Sequence, residues 1–328
     1  MKILLTGASS FTGMWFAHAL TRAGAHVTAP LRAKIGDYEG MRAVRVRRLA
    51  KMVEVVEGAP LGGTEFMQLV QGRGFDVFCH HAARVTDYRS PDFDPVLALA
   101  DNTNNFRQVL ESLRHKGLEA VIATGSVFEQ DEGVGDHPLR AFSPYGLSKG
   151  LTWQVIRYWC TVLGIPCGKF VIPNPFGPFD EPKFPHYLIN RWRNGQPAEV
   201  RTPAYVRDNI HVDLLARAYA RFVAEILRTG QDAKYGPSGY RESQGAFTER
   251  FAREMRTRLG LACEVLLPEQ TDFSEPAVRL NPHTLDLEAL HWNEKRAWDD
   301  LAEYYLREAA DGATAAAPSN GPGLRFSN

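Results

Sequence analysis

Hydrophobic and polar positions alternate in short blocks along the first half of the chain. Residues 3–5 and 25–29 are apolar runs, and such short runs are typical of the buried strands of a parallel sheet. Between them, residues 14–22 carry apolar side chains at helical spacing, and Gly24 suits the position just beyond the helix. The pattern predicts a right-handed strand–helix–strand unit at the start of the chain.

The alternation continues as far as residue 172. Further strands are predicted at residues 75–80, 118–123 and 167–172, and further helices at residues 101–113 and 143–163. Two short apolar pieces, residues 44–46 and 53–56, have no clear assignment. Strands that alternate with helices over such a length predict an α/β fold with a Rossmann-like, doubly wound parallel sheet.

From residue 173 the pattern changes, because prolines interrupt the chain and short helices follow, at residues 185–194 and 212–227. The interrupting prolines are Pro173, Pro175, Pro178, Pro182 and Pro185. We therefore predict that residues 1–172 mainly form the Rossmann-like domain and that residues 173–308 mainly form a smaller lobe, interleaved with the last strands of the sheet. Residues 309–328 are rich in Ala, Gly, Pro and Ser and are predicted to be a mobile tail.

The charge balance and the hydropathy of the chain narrow the class of protein. Lysine plus arginine and aspartate plus glutamate are equal, at 38 each, which predicts no nucleic-acid partner and no membrane partner. No apolar run approaches the ~20 residues that span a bilayer, and the apolar run after Lys2 is too short for a signal peptide. The cysteines show no C-x-x-C spacing and are predicted to be buried thiols. We expect a cytoplasmic protein.

Tyr145 and Lys149 are the clearest candidates for chemistry. They lie four positions apart in a predicted helix and therefore share one face of it. Pro144 suits the first turn of that helix, and Ser143 suits its N-cap. A phenol has a pKa of ~10, and an ammonium group one turn away is expected to lower it toward neutrality. Such a pair predicts proton exchange with a substrate hydroxyl or carbonyl.

Further motifs follow one another in a fixed order along the chain. They are Thr6-Gly7-Ala8-Ser9-Ser10-Phe11-Thr12-Gly13, His81-Ala82-Ala83, Asn102, Thr124-Gly125-Ser126-Val127-Phe128, Pro173-Asn174-Pro175-Phe176-Gly177-Pro178 and Arg207-Asp208-Asn209-Ile210-His211-Val212. Together with Tyr145 and Lys149 they resemble the motifs of the extended short-chain dehydrogenase/reductases, which include nucleotide-sugar epimerases, dehydratases and ketoreductases. The resemblance runs from Met1 to about Tyr305 and implies an NAD(P)-binding first domain and a substrate-binding second lobe.

The resemblance implies a set of cofactor-binding residues. They are Gly7, Ser10, Phe11, Thr12, Gly13, Arg32, Ala82, Ala83, Asn102, Tyr145 and Lys149. Ser10 stands where the family usually has its middle glycine, and its hydroxyl is a candidate donor to the pyrophosphate. No carboxylate follows the second strand to bind a ribose 2′-OH, whereas Arg32, with Lys34, suits a 2′-phosphate, so NADP is preferred over NAD. His80 and His81 have no cluster of further ligands, and no metal site is predicted.

The resemblance also implies catalytic roles. Thr124 takes the position of the hydroxyl that polarises the substrate oxygen, with Ser126 as the alternative. Tyr145 transfers the proton, and Lys149 lowers the pKa of Tyr145 and binds the nicotinamide ribose. The family's dehydratases carry T-D-E in the segment where this chain has Thr124-Gly125-Ser126, so dehydration is disfavoured.

For the substrate, the resemblance implies that Asn174 and Arg207 contact a nucleoside diphosphate. His211 is expected to form structural hydrogen bonds. The preferred function is NADP-dependent reduction of a keto group, at C4, on a nucleotide-diphosphate-linked sugar. The alternatives are an NAD-dependent nucleotide-sugar 4-epimerase and, from another class, a non-catalytic dinucleotide-binding sensor or scaffold.

Related proteins are often homodimers through a four-helix bundle that contains the tyrosine helix. Four apolar residues of this helix are candidates either for such a face or for the core of the monomer: Leu151, Trp153, Ile156 and Trp159.

Overall fold

The computed structural model describes residues 1–88 and 90–316. Its strands are β1 (Lys2–Thr6), β2 (His26–Pro30), β3 (Glu54–Val56), β4 (Val77–His80), β5 (Ala120–Ser126), β6 (Val134–Gly135), β7 (Cys167–Ile172), β8 (Asn174–Phe176), β9 (Ala198–Glu199), β10 (Val206–His211), β11 (Ala233–Tyr235), β12 (Pro237–Ser238), β13 (Tyr240–Ser243), β14 (Val265–Leu266), β15 (Arg279–Leu280) and β16 (His283–Thr284). Its helices are α1 (Phe11–Arg22), α2 (Gly40–Leu49), α3 (Thr64–Gly72), α4 (Pro95–Asn102), α5 (Phe106–His115), α6 (Pro144–Leu163), α7 (Phe184–Arg193), α8 (Val212–Thr229), α9 (Gln244–Leu259) and α10 (Glu294–Ala316), with a short 3₁₀ helix at Ile35–Asp37.

The main sheet has seven strands in the order β3-β2-β1-β4-β5-β7-β11. All neighbours in this sheet are parallel. The strand order reverses between β1 and β4, and in open α/β sheets ligands bind beyond the carboxyl ends of the strands at such a point. The predicted Rossmann-like, doubly wound sheet is confirmed.

Two apolar layers hold helices against the faces of this sheet. Phe16 of α1 and Tyr219 of α8 pack on one face with Ile122, whereas Phe66 of α3 and Ile156 of α6 pack on the other. Each fully buried side chain of this size contributes about 1.5–3 kcal/mol to stability. All four cysteines are buried thiols, as the sequence predicted.

The smaller lobe begins immediately after β7. Pro173 separates β7 from β8, which pairs in parallel with β10, and β10 pairs antiparallel with β13. Helices α7, α9 and α10 close over this small sheet around Trp192, Phe251 and Trp298. The chain returns to the main sheet through α8 and β11, so the two parts are interleaved in sequence.

Three local differences separate the sequence predictions from the structure. The helix predicted at 101–113 is two helices, α4 and α5, because Asn105 between them has a left-handed backbone (φ 49°). The unassigned residues 44–46 lie in α2, and 54–56 form β3. Helix α10 continues to residue 316, so 309–316 are helical rather than part of a tail, and residues 317–328 lie outside the described residues.

The structure describes no helix long and apolar enough to cross a membrane within residues 1–88 and 90–316.

Candidate active site

The glycine-rich loop brings β1 close to the end of β4. Gly7 has φ +74°, and a Cβ there would lie 2.7 Å from the amide nitrogen of Ala82. Thr6 Oγ1 accepts hydrogen bonds from the amides of His81 (3.2 Å) and Ala82 (3.1 Å). The two loops therefore lie together at the point where the strand order reverses, and glycine is required for their approach.

Ser10 is the N-cap of α1. Its hydroxyl accepts from the amide of Gly13 (3.1 Å) and donates to the carbonyl of Gly7 (2.8 Å). Donation from Ser10 to a pyrophosphate stays a prediction, and it requires the hydroxyl to release the carbonyl of Gly7. The free amides at the start of α1, from Phe11 and Thr12, remain as the donors that a helix amino terminus offers to an anion.

Two histidines support this loop in their neutral form. His81 Nε2 pairs with Ser10 Oγ (3.1 Å) and Thr12 Oγ1 (3.0 Å), and His80 Nδ1 pairs with Thr6 Oγ1 (3.1 Å). Burial, reinforced by the charge of Lys149, lowers the pKa of each histidine to about 3. Within the described chain, no group of three or more His, Cys, Asp or Glu is arranged to hold a metal.

Asn102 joins the loop after β4 to helix α6. Its Oδ1 accepts from the amide of Arg84 (2.8 Å), and its Nδ2 donates to Thr152 Oγ1 on α6 (3.1 Å). The carbonyl of Asn102 also pairs with His80 Nε2 at 2.9 Å. Along the chain, Ala82 and Ala83 lie between His81, which contacts the glycine-rich loop, and Arg84, whose amide donates to Asn102.

Arg32 lies in the loop directly after β2. Its side chain is exposed and makes no hydrogen bond or ion pair with the described part of the chain. Lys34 is exposed nearby. Both side chains are therefore accessible to a ligand that binds at the end of β2.

Helix α6 begins as the sequence predicted. The hydroxyl of Ser143 accepts from the amide of Gly146 (3.3 Å), and Pro144 occupies the first turn. This places Tyr145 and Lys149 over the end of β5, where Lys149 Nζ donates to the carbonyl of Thr124 at 2.6 Å. Burial lowers the pKa of Lys149 to about 8, and the carboxylate of Glu129 opposes that shift.

The phenol of Tyr145 packs edge-on against Tyr88 and Phe93, with ring centroids 5.4 and 6.0 Å apart. Burial raises the pKa of Tyr145 above its usual value, and the carboxylate of Glu129 raises it further. The prediction that Lys149 lowers this pKa is wrong for this structure. The physical reason is that the phenol loses hydration among aromatic rings, while the ammonium group of Lys149 is directed to the backbone of β5.

The two candidate hydroxyls at the end of β5 differ in their surroundings. Thr124 is buried, and its hydroxyl lies beside that of Tyr219 without a well-formed hydrogen bond. The hydroxyl of Ser126 is partly exposed and accepts from the amide of Phe128 at 3.2 Å.

The residues expected to contact the substrate lie on the small sheet. Asn174 of β8 pairs in register with Asn209 of β10, two positions from Arg207. The guanidinium of Arg207 donates to the carbonyls of Val206 and Ala277 and pairs with Glu275 at 3.0 Å. Arg207 is therefore anchored within the lobe, and a diphosphate would share it with these partners.

His211 is the N-cap of α8 and accepts from the amide of Asp213 at 3.3 Å. Burial lowers its pKa to about 4, so the imidazole is neutral.

The sequence also matches a family model over residues 3–236, that of the NAD dependent epimerase/dehydratase family. The chain belongs to this family. It is an NAD(P)-dependent oxidoreductase of the extended short-chain dehydrogenase/reductase type, as its motifs indicated. No protein of curated function matches the sequence.

Solved structures of epimerases share the fold of this family member. UDP-glucuronic acid 4-epimerase from Bacillus cereus, in complex with UDP-glucuronic acid and NAD, is 18% identical, and the match covers 94% of this chain and 100% of that one with a TM-score of 0.68. UDP-glucose 4-epimerase from Stenotrophomonas maltophila, with NAD bound, is 17% identical over 96% and 100%, with a TM-score of 0.71. UDP-glucose 4-epimerase from Thermotoga maritima, with UDP-glucose, is 18% identical over 94% and 100%, with a TM-score of 0.70.

Sequence reasoning missed two fully buried arginines that hold the site together. Arg45 of α2 donates to the carbonyls of Ser9 (3.1 Å) and Phe179 (2.9 Å) and so joins the glycine-rich loop to the smaller lobe. Arg279 of β15 donates to backbone carbonyls of the segment that follows β5, including that of Glu129 (3.2 Å). An arginine in an amphipathic helix or a short strand usually indicates a solvated surface, so the sequence carried no signal for either role.

Proposed function

We propose that this protein is an NAD-dependent 4-epimerase that acts on a nucleotide-diphosphate-linked sugar. The observation that carries the proposal is the meeting of Tyr145, Lys149 and Thr124 at the end of β5, beside the glycine-rich loop. The family assignment supports it, and so does the likeness to NAD-bound 4-epimerases. This reverses our preference for a ketoreductase, which rested mainly on Arg32.

The residues of the β1–β4 region fit a dinucleotide. Gly7 leaves room where a Cβ would collide with Ala82, and the amino terminus of α1 supplies amide donors for a pyrophosphate. Bound NAD supplies reversible acceptance of a hydride from the sugar carbon. Asn102 and Lys149 are the residues expected to hold the nicotinamide end. Asn102 ties α6 to the loop after β4, and Lys149 ties α6 to the end of β5.

The protein's own part in the reaction is a proton transfer. Tyr145, in its phenolate form, takes the proton from the C4 hydroxyl as that carbon becomes a carbonyl; the resulting phenol returns the proton to the oxygen when the carbonyl is reduced from the other face. Thr124, with Ser126 as the alternative, donates to the same oxygen. Lys149, an ammonium group at neutral pH, is proposed to bind the nicotinamide ribose.

The smaller lobe is proposed to hold the nucleoside diphosphate. Asn174 and Arg207 lie on adjacent strands of one sheet, and a guanidinium is a bidentate partner for phosphate oxygens. Glu275, which pairs with Arg207, is about half exposed and is the partner that a diphosphate would displace most easily.

NADP-dependent ketoreduction is the second candidate, favoured by the exposed Arg32 after β2. The two functions differ in how the cofactor is used: an epimerase regenerates its NAD in every turnover, whereas a reductase consumes NADPH. Purified protein is to be analysed for bound dinucleotide and then incubated with UDP-sugars, without added cofactor, and with 4-keto sugar nucleotides plus NADPH. Interconversion of epimers without added cofactor supports the proposal, and NADPH consumption alone contradicts it.

The Tyr145→Phe variant separates both enzyme functions from a sensor or scaffold. We expect it to lose about 10²–10⁴-fold in turnover while it still binds the cofactor. Wild-type protein that binds the dinucleotide but turns over none of the tested sugars would favour the sensor.

We also propose a homodimer through α6. The outer face of this helix exposes Leu147, Leu151, Tyr158 and Val162, and α4 exposes Val96 beside it. Of the residues expected from sequence, Leu151 is exposed, whereas Ile156 is buried in the core of the monomer. An apolar stripe on two packed helices is what a four-helix interface requires.

A further inference from the structure

A buried cluster of charges lies directly behind the end of β5. Lys169 of β7 donates through Nζ to Glu129 (2.5 Å) and Glu132 (2.7 Å), which lie in the segment that follows β5. All three residues are at least nine-tenths buried. A cavity of about 420 Å³ adjoins them, with Trp153 and Lys234 in its wall. Burying charged groups costs free energy even when they are paired, so a contribution to stability does not by itself explain this cluster.

Glu129 is the member that reaches the catalytic segment. Its Oε1 accepts from the amide of Ser126 at 2.7 Å. Gly125 lies between the two candidate hydroxyl residues and leaves room for the ion pair of Glu129 and Lys169. A Cβ at this position would lie 2.6 Å from Cε of Lys169 and 3.0 Å from Oε1 of Glu129. The carboxylate of Glu132 contacts Lys169 and Lys234 but no residue of β5 within the described chain.

The charged and titratable groups around Glu129 come from several elements. They are Lys169 of β7, Lys149 and Tyr145 of α6, Arg279 of β15, Glu132 of the same segment and, through Glu132, Lys234 of β11. The carboxylate of Glu129 raises the pKa of Lys149, whereas burial and Lys169 lower it.

We propose that Glu129 is a positioning residue of the catalytic centre. Held by Lys169, its carboxylate accepts from the amide of Ser126, which fixes the backbone between the two candidate hydroxyls, and it places a negative charge within electrostatic reach of Lys149. The inference rests on the proposed function in so far as Lys149 serves catalysis, but the contacts of Glu129 do not depend on the identity of the substrate.

The test is a titration of Lys149 by NMR in protein labelled with ¹³C at the lysine ε carbon. The Lys149→Met variant identifies the signal of Lys149. Glu132→Gln is the matched control for Glu129→Gln, because each variant removes one of the two carboxylates that pair with Lys169. We expect a wild-type midpoint at about 8. The midpoint should fall by about one pH unit in Glu129→Gln and stay unchanged in Glu132→Gln. Equal midpoints in wild type and Glu129→Gln, or an equal shift in both variants, would overturn the proposal.

A second comparison is used if the Glu129→Gln variant does not fold. The double variant E129Q/K169Q removes both members of the ion pair and is compared with K169Q alone. A lower Lys149 midpoint in the double variant supports the proposal, and equal midpoints overturn it.

The titration needs no turnover, so its result is independent of the proposed reaction. If the Lys149 midpoint shifts in Glu129→Gln but the protein turns over no nucleotide sugar, the proposed role of Glu129 is supported and the proposed epimerase function is rejected. In active enzyme, Glu129→Gln should move the high-pH loss of kcat to lower pH by the same amount, a change that a purely structural role would not produce.

Discussion

Two hydroxyl side chains at the end of β5 stand within the same short segment, yet their surroundings differ. Thr124 is buried with its hydroxyl unpaired, and Ser126 is partly exposed with its hydroxyl bound to the amide of Phe128. A buried hydroxyl without a partner is unfavourable unless another group supplies one. We therefore propose that Thr124, rather than Ser126, contacts the substrate oxygen.

Thr124→Ala and Ser126→Ala test this assignment as a matched pair. Loss of the donor to the reacting oxygen should lower kcat by about 10²–10³-fold in Thr124→Ala, because this hydrogen bond strengthens as negative charge develops on the oxygen. Ser126→Ala should keep kcat within about tenfold of the wild type, because its hydroxyl serves the backbone. Steady-state kinetics with the nucleotide sugar measures both, and the reverse ranking would assign the role to Ser126.

At the same scale, the sequence located Tyr145, Lys149 and Thr124 but not their electrostatics. The spacing of Tyr145 and Lys149 correctly placed them on one helix that begins at Ser143. It could not show that Lys149 is directed to the carbonyl of Thr124, or that Glu129 comes within reach of both side chains. These contacts join β5, α6 and β7 across tens of residues, and no local pattern encodes them.

At the scale of elements, the junction of β1, α1 and β4 is the proposed dinucleotide site. The apolar runs and the glycine-rich loop predicted this unit, because strand and turn signals are local. The break between α4 and α5 was missed, since it depends on the left-handed backbone of Asn105, whose side chain is bonded to the distant carbonyl of Gly62.

Gly7→Ala tests the junction, with Gly24→Ala as its control. Both glycines have positive φ (+74° and +85°), so each substitution should cost about 1–2 kcal/mol of unfolding free energy. Only at Gly7 would the new Cβ meet a neighbour, the amide of Ala82 at 2.7 Å, whereas nothing lies within 4 Å at Gly24. We expect lower thermal stability in both variants and weaker dinucleotide binding, by fluorescence titration, in Gly7→Ala alone. Equal affinities in the two variants would contradict this account of the loop.

At the scale of the whole molecule, the Rossmann-like sheet and the smaller lobe meet around the end of β5. Arg45 and Arg279, both fully buried, connect the two parts by binding backbone carbonyls across them. The outward face of α6 is left with an apolar stripe, which we assign to a second copy of the chain.

Leu151→Arg on α6 tests the dimer, and Leu306→Arg on α10 is the control. Both side chains are exposed, at 37% and 50%, but only Leu151 lies on the stripe. A charge placed in an apolar interface must be desolvated without a partner, so Leu151→Arg should shift the protein toward monomer. Light scattering coupled to size-exclusion chromatography gives the mass. A monomeric wild type, or equal masses for all three proteins, would contradict the assignment.

Return of the hydride to the same sugar carbon, C4, is the step that distinguishes the proposed epimerase from a ketoreductase. It is tested most directly with UDP-glucose, and with UDP-glucuronic acid in parallel, deuterated at C4 and incubated with purified protein without added cofactor. Mass spectrometry and NMR then locate the label. We expect a C4 epimer that retains deuterium at C4, and product formation about 10²–10⁴-fold slower with Tyr145→Phe. An epimer that has lost the label to solvent, or turnover that occurs only by stoichiometric consumption of NADPH with a 4-keto sugar, would contradict it.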